Sequence, residues 1–167
     1  MTGRIIALGM LTLLLACTEK ENLNSPRNTT MTQQKISFLN PKDLFNPKQN
    51  GFSHIVKVPE GKALYYFSGQ WASDTSGKLV SEDFKEQVSK TVSNVKAALA
   101  ASGLSINDVV KQTVYIVDFT MEKKQILIDV ASKEWRVENF PASTIVPLPL
   151  LATAPNCLIE IEIIATK

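Results

Sequence analysis

The hydrophobic pattern of the chain changes twice along its length. An apolar run from Ile5 to Ala16, broken by Gly9 and Thr12, gives way to a polar stretch rich in Asn, Thr and Gln that continues to about Lys35. Beyond it, apolar positions recur with the periods of strands and helices. Phe38 to Gln49, punctuated by Pro41 and Pro47, predicts a loop with isolated buried anchors such as Phe45. Phe52–Val58 and Leu64–Trp71 carry β-forming residues on either side of the turn sequence Pro59-Glu60-Gly61-Lys62 and are predicted to pair as a hairpin.

After Asp74-Thr75-Ser76-Gly77 the period becomes helical. Val88, Val92, Val95 and Leu99 form one apolar stripe, Ser81 stands where an N-cap belongs with Glu82 and Asp83 behind it, and Gly103 suits the stop. Val109–Val117 predicts a strand, and Glu122–Val137 a second helix with Leu127, Ala131 and Trp135 on one face. Ser143–Leu150 contains Pro147 and Pro149, which suits an edge or bulged strand, and Leu158–Thr166 alternates apolar residues with Glu160 and Glu162. The order strand, strand, helix, strand, helix, strand, strand predicts an α+β domain with a mixed or antiparallel sheet and both helices on one face. The other face would expose on the order of several hundred Å² of apolar surface, so oligomerisation is expected.

The N-terminal run is too short to span a bilayer, which takes roughly 20 apolar residues. With Arg4 in front, it fits a secretory signal. Leu14-Leu15-Ala16-Cys17 resembles the bacterial lipobox, which implies cleavage after residue 16 and diacylglycerol on the Cys17 thiol. A plain secretory signal with Cys17 incidental is the competing interpretation. Residues 1–16 are thus expected to be a lipoprotein signal, 17–35 a tether and 36–167 the folded domain. The resemblance implies export and anchoring in a bacterial envelope, with Thr18 after the cysteine favouring the outer membrane.

Composition narrows the chemistry. At 44% hydrophobic and 20% charged residues, the chain can close a core without disulfides, and Cys17 and Cys157 have such different surroundings that pairing is not expected. A net charge of +2 and no basic run longer than Lys123-Lys124 argue against a nucleic-acid partner. One histidine and one domain cysteine supply no zinc-ligand spacing, and no Gly-rich phosphate loop is present, so neither metal nor nucleotide cofactor is expected.

Six short motifs share their order and spacing with a known family: Ser68-Gly69-Gln70, Asn94-Val95-Lys96-Ala97, Ala101-Ser102-Gly103-Leu104, Asp108-Val109-Val110-Lys111 leading to Thr113-Val114-Tyr115-Ile116, Phe140-Pro141-Ala142, and Ile159-Glu160-Ile161-Glu162. Together they resemble the Rid/YjgF family of reactive intermediate deaminases, from about Gly51 to Thr166. The resemblance implies a chorismate-mutase-like fold, a homotrimer and ligand clefts between subunits. It also implies cofactor-free hydrolysis of 2-imino acids to keto acids and ammonia. In that chemistry an arginine after Phe-Pro-Ala grips the substrate carboxylate and a glutamate of the last strand handles water or protons.

Carried over position by position, the glutamate is Glu160, whereas the arginine position holds Ser143, with Thr144 beside it. Phe52 stands where a tyrosine is common, and Ser68, with Gly69, matches a cleft-lining serine. Glu160 and Ser143 are therefore the catalytic candidates, and Phe52, His54, Ser68, Gly69 and Thr144 the ligand-binding ones. Each has a plainer alternative: a turn serine at 68, a solvated carboxylate at 160, a structural hydrogen bond at His54. Lys111 and Lys133 are the cations considered as replacements for the arginine. Three functions remain open: a ligand-binding Rid-like protein of altered specificity, a true imine deaminase or related hydrolase, and a trimeric surface scaffold.

Overall fold

The computed structural model describes residues 35–133 and 139–167. The signal segment, Cys17, nearly all of the tether and Trp135 lie outside the described residues. The strands are β1 (Ser37–Leu39), β2 (Ile55–Lys57), β3 (Leu64–Trp71), β4 (Val109–Val117), β5 (Ala142–Leu148) and β6 (Ile159–Thr166), and the helices are α1 (Phe84–Ala101) and α2 (Met121–Ala131). The α+β class, the mixed sheet and the two helices expected from the sequence are all present.

The main sheet runs β3-β6-β4-β5, antiparallel except for the parallel pair β4 and β5. Its register sorts the side chains. Ile159, Ile161 and Ile163 of β6 share a face with Gln112, Val114 and Ile116 of β4 and with Ser143 and Ile145 of β5. The helices cover this face: Val88, Val92, Val95 and Leu99 of α1 and Leu127 of α2 pack there into one core. Each such burial contributes roughly 1.5 to 3 kcal/mol relative to exposure. The opposite, open face carries Lys111, Thr113 and Tyr115 of β4, Glu160 and Glu162 of β6, and Thr144 of β5. Tyr66 of β3, register partner of Ile164, is 74% exposed there.

Three expectations are corrected. The segment after Gly51 does not pair with β3; β2 pairs antiparallel with β1, within what was expected to be loop. β3 takes β6 instead, an eight-residue partner whose alternation matches its own, and Thr166 Oγ1 donates to Ala63 O at 2.8 Å to pin the end of that ladder. The three residues of β2 offered too short a ladder to compete. The N-cap of α1 is Asp83, whose side chain accepts from Glu86 N, while Ser81 Oγ accepts from Asp83 N one turn outside the helix. Finally, Phe45 is 62% exposed rather than a buried anchor.

The proline-bearing strand takes its expected place. Pro147 lies in β5, which is an edge strand and needs no donor on its outer side. Asn94 of α1 donates through Nδ2 to Trp71 O at 2.7 Å and Ser73 O at 3.0 Å, fixing the exit of β3 against the helix.

Candidate functional site

The edge strand β5 and the segment before β2 build a cavity. Ser53 N donates to Pro141 O at 3.0 Å and forms a parallel bridge with Ala142, so residues 52–54 lie along the start of β5. Gly51, at φ +72 in the left-handed region that glycine tolerates best, turns the chain from Asn50 into Phe52. On the far side, Thr120 caps α2 by accepting from Lys123 N at 3.1 Å, which sets Met121 and Lys124 on adjacent positions of one helical face. Between these walls lies a cavity of about 320 Å³ lined by Phe45, Asn50, Phe52, Phe119, Met121, Lys124, Ser143 and Ile145.

Its body is aromatic and aliphatic. Phe45, Phe52 and His54 meet edge to face, with centroids 5.1 to 5.9 Å apart. His54 Nε2 is bound to Phe45 O at 2.8 Å and His54 N donates to Asn40 Oδ1, so the ring braces the cavity wall and does not line the cavity. The polar end is Ser143 and Lys124. Ser143 Oγ accepts from buried Gln112 Nε2 at 3.0 Å, which leaves its own proton to donate. Lys124 Nζ donates to Asn50 Oδ1 at 3.0 Å.

Glu160 belongs to the open face. Its carboxylate accepts from Thr153 Oγ1 and lies against Gly69, where β3 shifts register between Phe67 and Gln70. Ser68 sits exposed in the same irregularity, its carbonyl accepting from Gln70 Nε2 at 3.1 Å. Tyr115 Oη donates to Glu162 Oε2 at 3.1 Å, and this bond chiefly pushes the phenol's pKa up. Lys111 Nζ donates to Thr144 Oγ1 at 2.9 Å and Gln112 O at 3.0 Å. Burial pushes the Lys111 pKa down, against the pull of the Glu162 charge.

Within one chain the sequence-derived candidates therefore separate into two groups. Ser143 and Phe52 share the edge cavity with His54 behind it, whereas Glu160, Gly69, Ser68 and Thr144 are on the other side of the sheet or in its outer bulge. Neither proposed replacement cation reaches the cavity: Lys111 is on the open face, and Lys133 lines a groove with Lys85 and Lys96 between the helices. Lys124, Asn50, Phe119 and Met121 were missed. The spacing of Met121 and Lys124 put them on one face, but nothing in the pattern said that this face looks toward Ser143. No group of three His, Cys, Asp or Glu able to hold a metal occurs among the described residues.

A two-helix α+β domain with an aromatic cavity at its parallel edge strand is the class of protein that the fold and site define. The chain belongs to the endoribonuclease L-PSP family, the Rid/YjgF or RutC family, whose sequence profile matches residues 43–167. A RutC family protein of Pyrococcus abyssi is 36% identical over 123 residues, covering 72% of this chain and 91% of the relative. The 2-iminobutanoate/2-iminopropanoate deaminase of Salmonella typhimurium is 32% identical over 103 residues, 60% of this chain and 77% of the enzyme. Among solved structures, the Rid family protein YyfB of Yersinia pestis superposes with a TM-score of 0.69 at 26% identity, covering 80% of this chain and all of that one.

Proposed function

We propose that this Rid family member binds a small metabolite in clefts completed between the copies of a homotrimer, and that hydrolysis of 2-imino acids is not its native reaction. The cavity at Ser143 carries the proposal: it is preformed, largely apolar and provided with a few convergent polar groups, as small-molecule sites are. The separation of Ser143 from Glu160 by the sheet supports a cleft between copies, in which the edge of one chain meets the open face of the next. The partly apolar open face, with Tyr66 and Leu64 exposed, supports self-association.

The doubt about deamination is energetic. An arginine would hold a carboxylate through two charge-assisted bonds of roughly 1.5 to 3 kcal/mol each, against about 0.5 to 1.5 for one neutral serine bond. The expected loss of affinity is on the order of tens- to thousands-fold. The deciding assay is release of ammonia and keto acid from freshly generated 2-iminobutanoate by the natural protein and by Ser143→Arg. Inactivity of the first with activity of the second supports an altered ligand; an active natural protein would make it a deaminase with a different carboxylate clamp.

Lipid anchoring through Cys17 at the bacterial envelope completes the proposal, supported by the Leu14-Leu15-Ala16-Cys17 motif behind its apolar run. An anchor of two or three acyl chains would give near-permanent membrane residence. Labelled palmitate should enter the natural protein and not Cys17→Ser; labelling of both would remove the anchor from the proposal.

A further inference from the structure

We propose that Lys124 is the anion-binding residue of the edge cavity, and that it makes the cavity selective for a small monocarboxylate with an apolar body. The inference rests on the cavity being the ligand site. Lys124 is half-buried and is the one charged side chain among the described residues lining the cavity. Its hydrogen-bond partner there, Asn50 Oδ1, is neutral and uses one of three ammonium protons. It has no carboxylate partner among the described residues, and the positions one helical turn away are Thr120, Met121, Leu127 and Ile128, none of them acidic.

Helix stability does not account for the residue either. Lys124 lies near the N-terminal end of α2, where the helix dipole disfavours a cation. A positive charge is thus held at the wall of an otherwise uncharged cavity by a neutral anchor, with donors to spare. Ser143 adds a neutral hydroxyl donor, one of its two lone pairs already engaged by Gln112. The remaining surface, Phe45, Phe52, Phe119, Met121 and Ile145, offers only apolar contact. An ammonium is a point charge without the planar fork of a guanidinium. It therefore supplies a point-charge contact for a carboxylate but not the two parallel bonds that would fix the orientation of a 2-imino acid, so the cavity selects a carboxylate without regaining the arginine clamp.

The test measures binding of phenylacetate and of its neutral counterpart phenylacetamide to the full chain in detergent, by calorimetry and by chemical-shift changes at Phe52. Phenylacetate is expected to bind at least about tenfold more tightly than the amide. In Lys124→Met, which keeps an apolar stem of similar length, that ratio should fall to about one while amide binding is unchanged; Lys124→Arg should retain the preference. An unchanged ratio in Lys124→Met, or loss of both probes in that variant, would overturn the role of the Lys124 charge and leave the cavity as the ligand site. Failure of both probes to bind the natural protein, or binding insensitive to Phe52→Ala, would overturn the cavity assignment and the inference with it.

Discussion

The carboxylate arm of Glu160 lies directly over the Cα of Gly69: a Cβ built there would stand 2.6 Å from Glu160 Cδ and 2.8 Å from Cγ. The obstruction is a flexible side chain rather than backbone, so alanine is accommodated by driving Glu160 off its bond with Thr153. Gly69→Ala is expected to cost about 1 to 3 kcal/mol of stability, and less than half as much in a Glu160→Ala background. Urea unfolding of the four proteins of that cycle checks it; equal costs in both backgrounds would mean that the carboxylate is not what glycine makes room for.

Gln87 is fully buried in α1 and ties the helix to the loops at both ends of its neighbours. Its Nε2 donates to Ser81 O and Asn156 O, each at 2.9 Å, and its Oε1 accepts from Leu158 N at 2.8 Å. Gln87→Leu fills the space but strands three part-buried backbone groups, the Leu158 N–H donor among them. The expected loss is about 2 to 4 kcal/mol, read as a lower urea midpoint at unchanged slope.

The Asp74 turn should respond to acid. Asp74 Oδ1 accepts from Lys78 N at 3.0 Å and from Ser76 N and Oγ at 2.8 Å each. The Lys78 amide foremost, then the Ser76 hydroxyl, hold its pKa below the ordinary 3.8. On acidification the unfolded chain therefore takes up this proton before the folded one does. The stabilisation is fully present above about pH 4 and is lost as pH falls through the depressed value. The stability gap between the natural protein and Asp74→Ala, measured by urea unfolding across pH, should be widest near neutrality and should close below pH 3.8. A gap independent of pH would assign the effect to something other than the carboxylate.

Self-association through the open face predicts that Tyr66→Lys, a charge placed on its most exposed large apolar side chain, weakens assembly without harming the fold. Sedimentation should show the natural protein as trimer and the variant as a smaller species with the same circular dichroism. An intact trimer in the variant would move the interface elsewhere.

How much of this was legible in the sequence depends on the range of the interactions. The stripe of Val88, Val92, Val95 and Leu99 specified α1 because helical burial follows from spacing alone, and the alternation of β6 likewise announced which side chains face the core. The cap shows the limit of local signals: Ser81 and Asp83 are both good N-caps, and the packing that buries Phe84 and Gln87 chose the second. The expected hairpin failed because turn chemistry at Pro59-Glu60-Gly61-Lys62 permits a reversal but does not pair strands. Pairing went to β6, nearly a hundred residues away, which offers the longer ladder.

The site divides in the same way. Chemical identity was already in the sequence: serine rather than arginine at 143, a glutamate at 160, a glycine beside Ser68. Their grouping was a decision of the tertiary structure. The pairing of β4 with β5 sets Gln112 opposite Ser143 on the helix side, and the alternation along each strand sends their neighbours Lys111 and Thr144 to the open side, a choice that follows from register. The approach of α2 to the edge of β5 then brings Lys124 into the cavity and leaves Lys111 and Lys133 out of it. Sequence determined which groups were available, because side-chain chemistry is local; only the fold, through pairing over long chain separations, decided which of them meet.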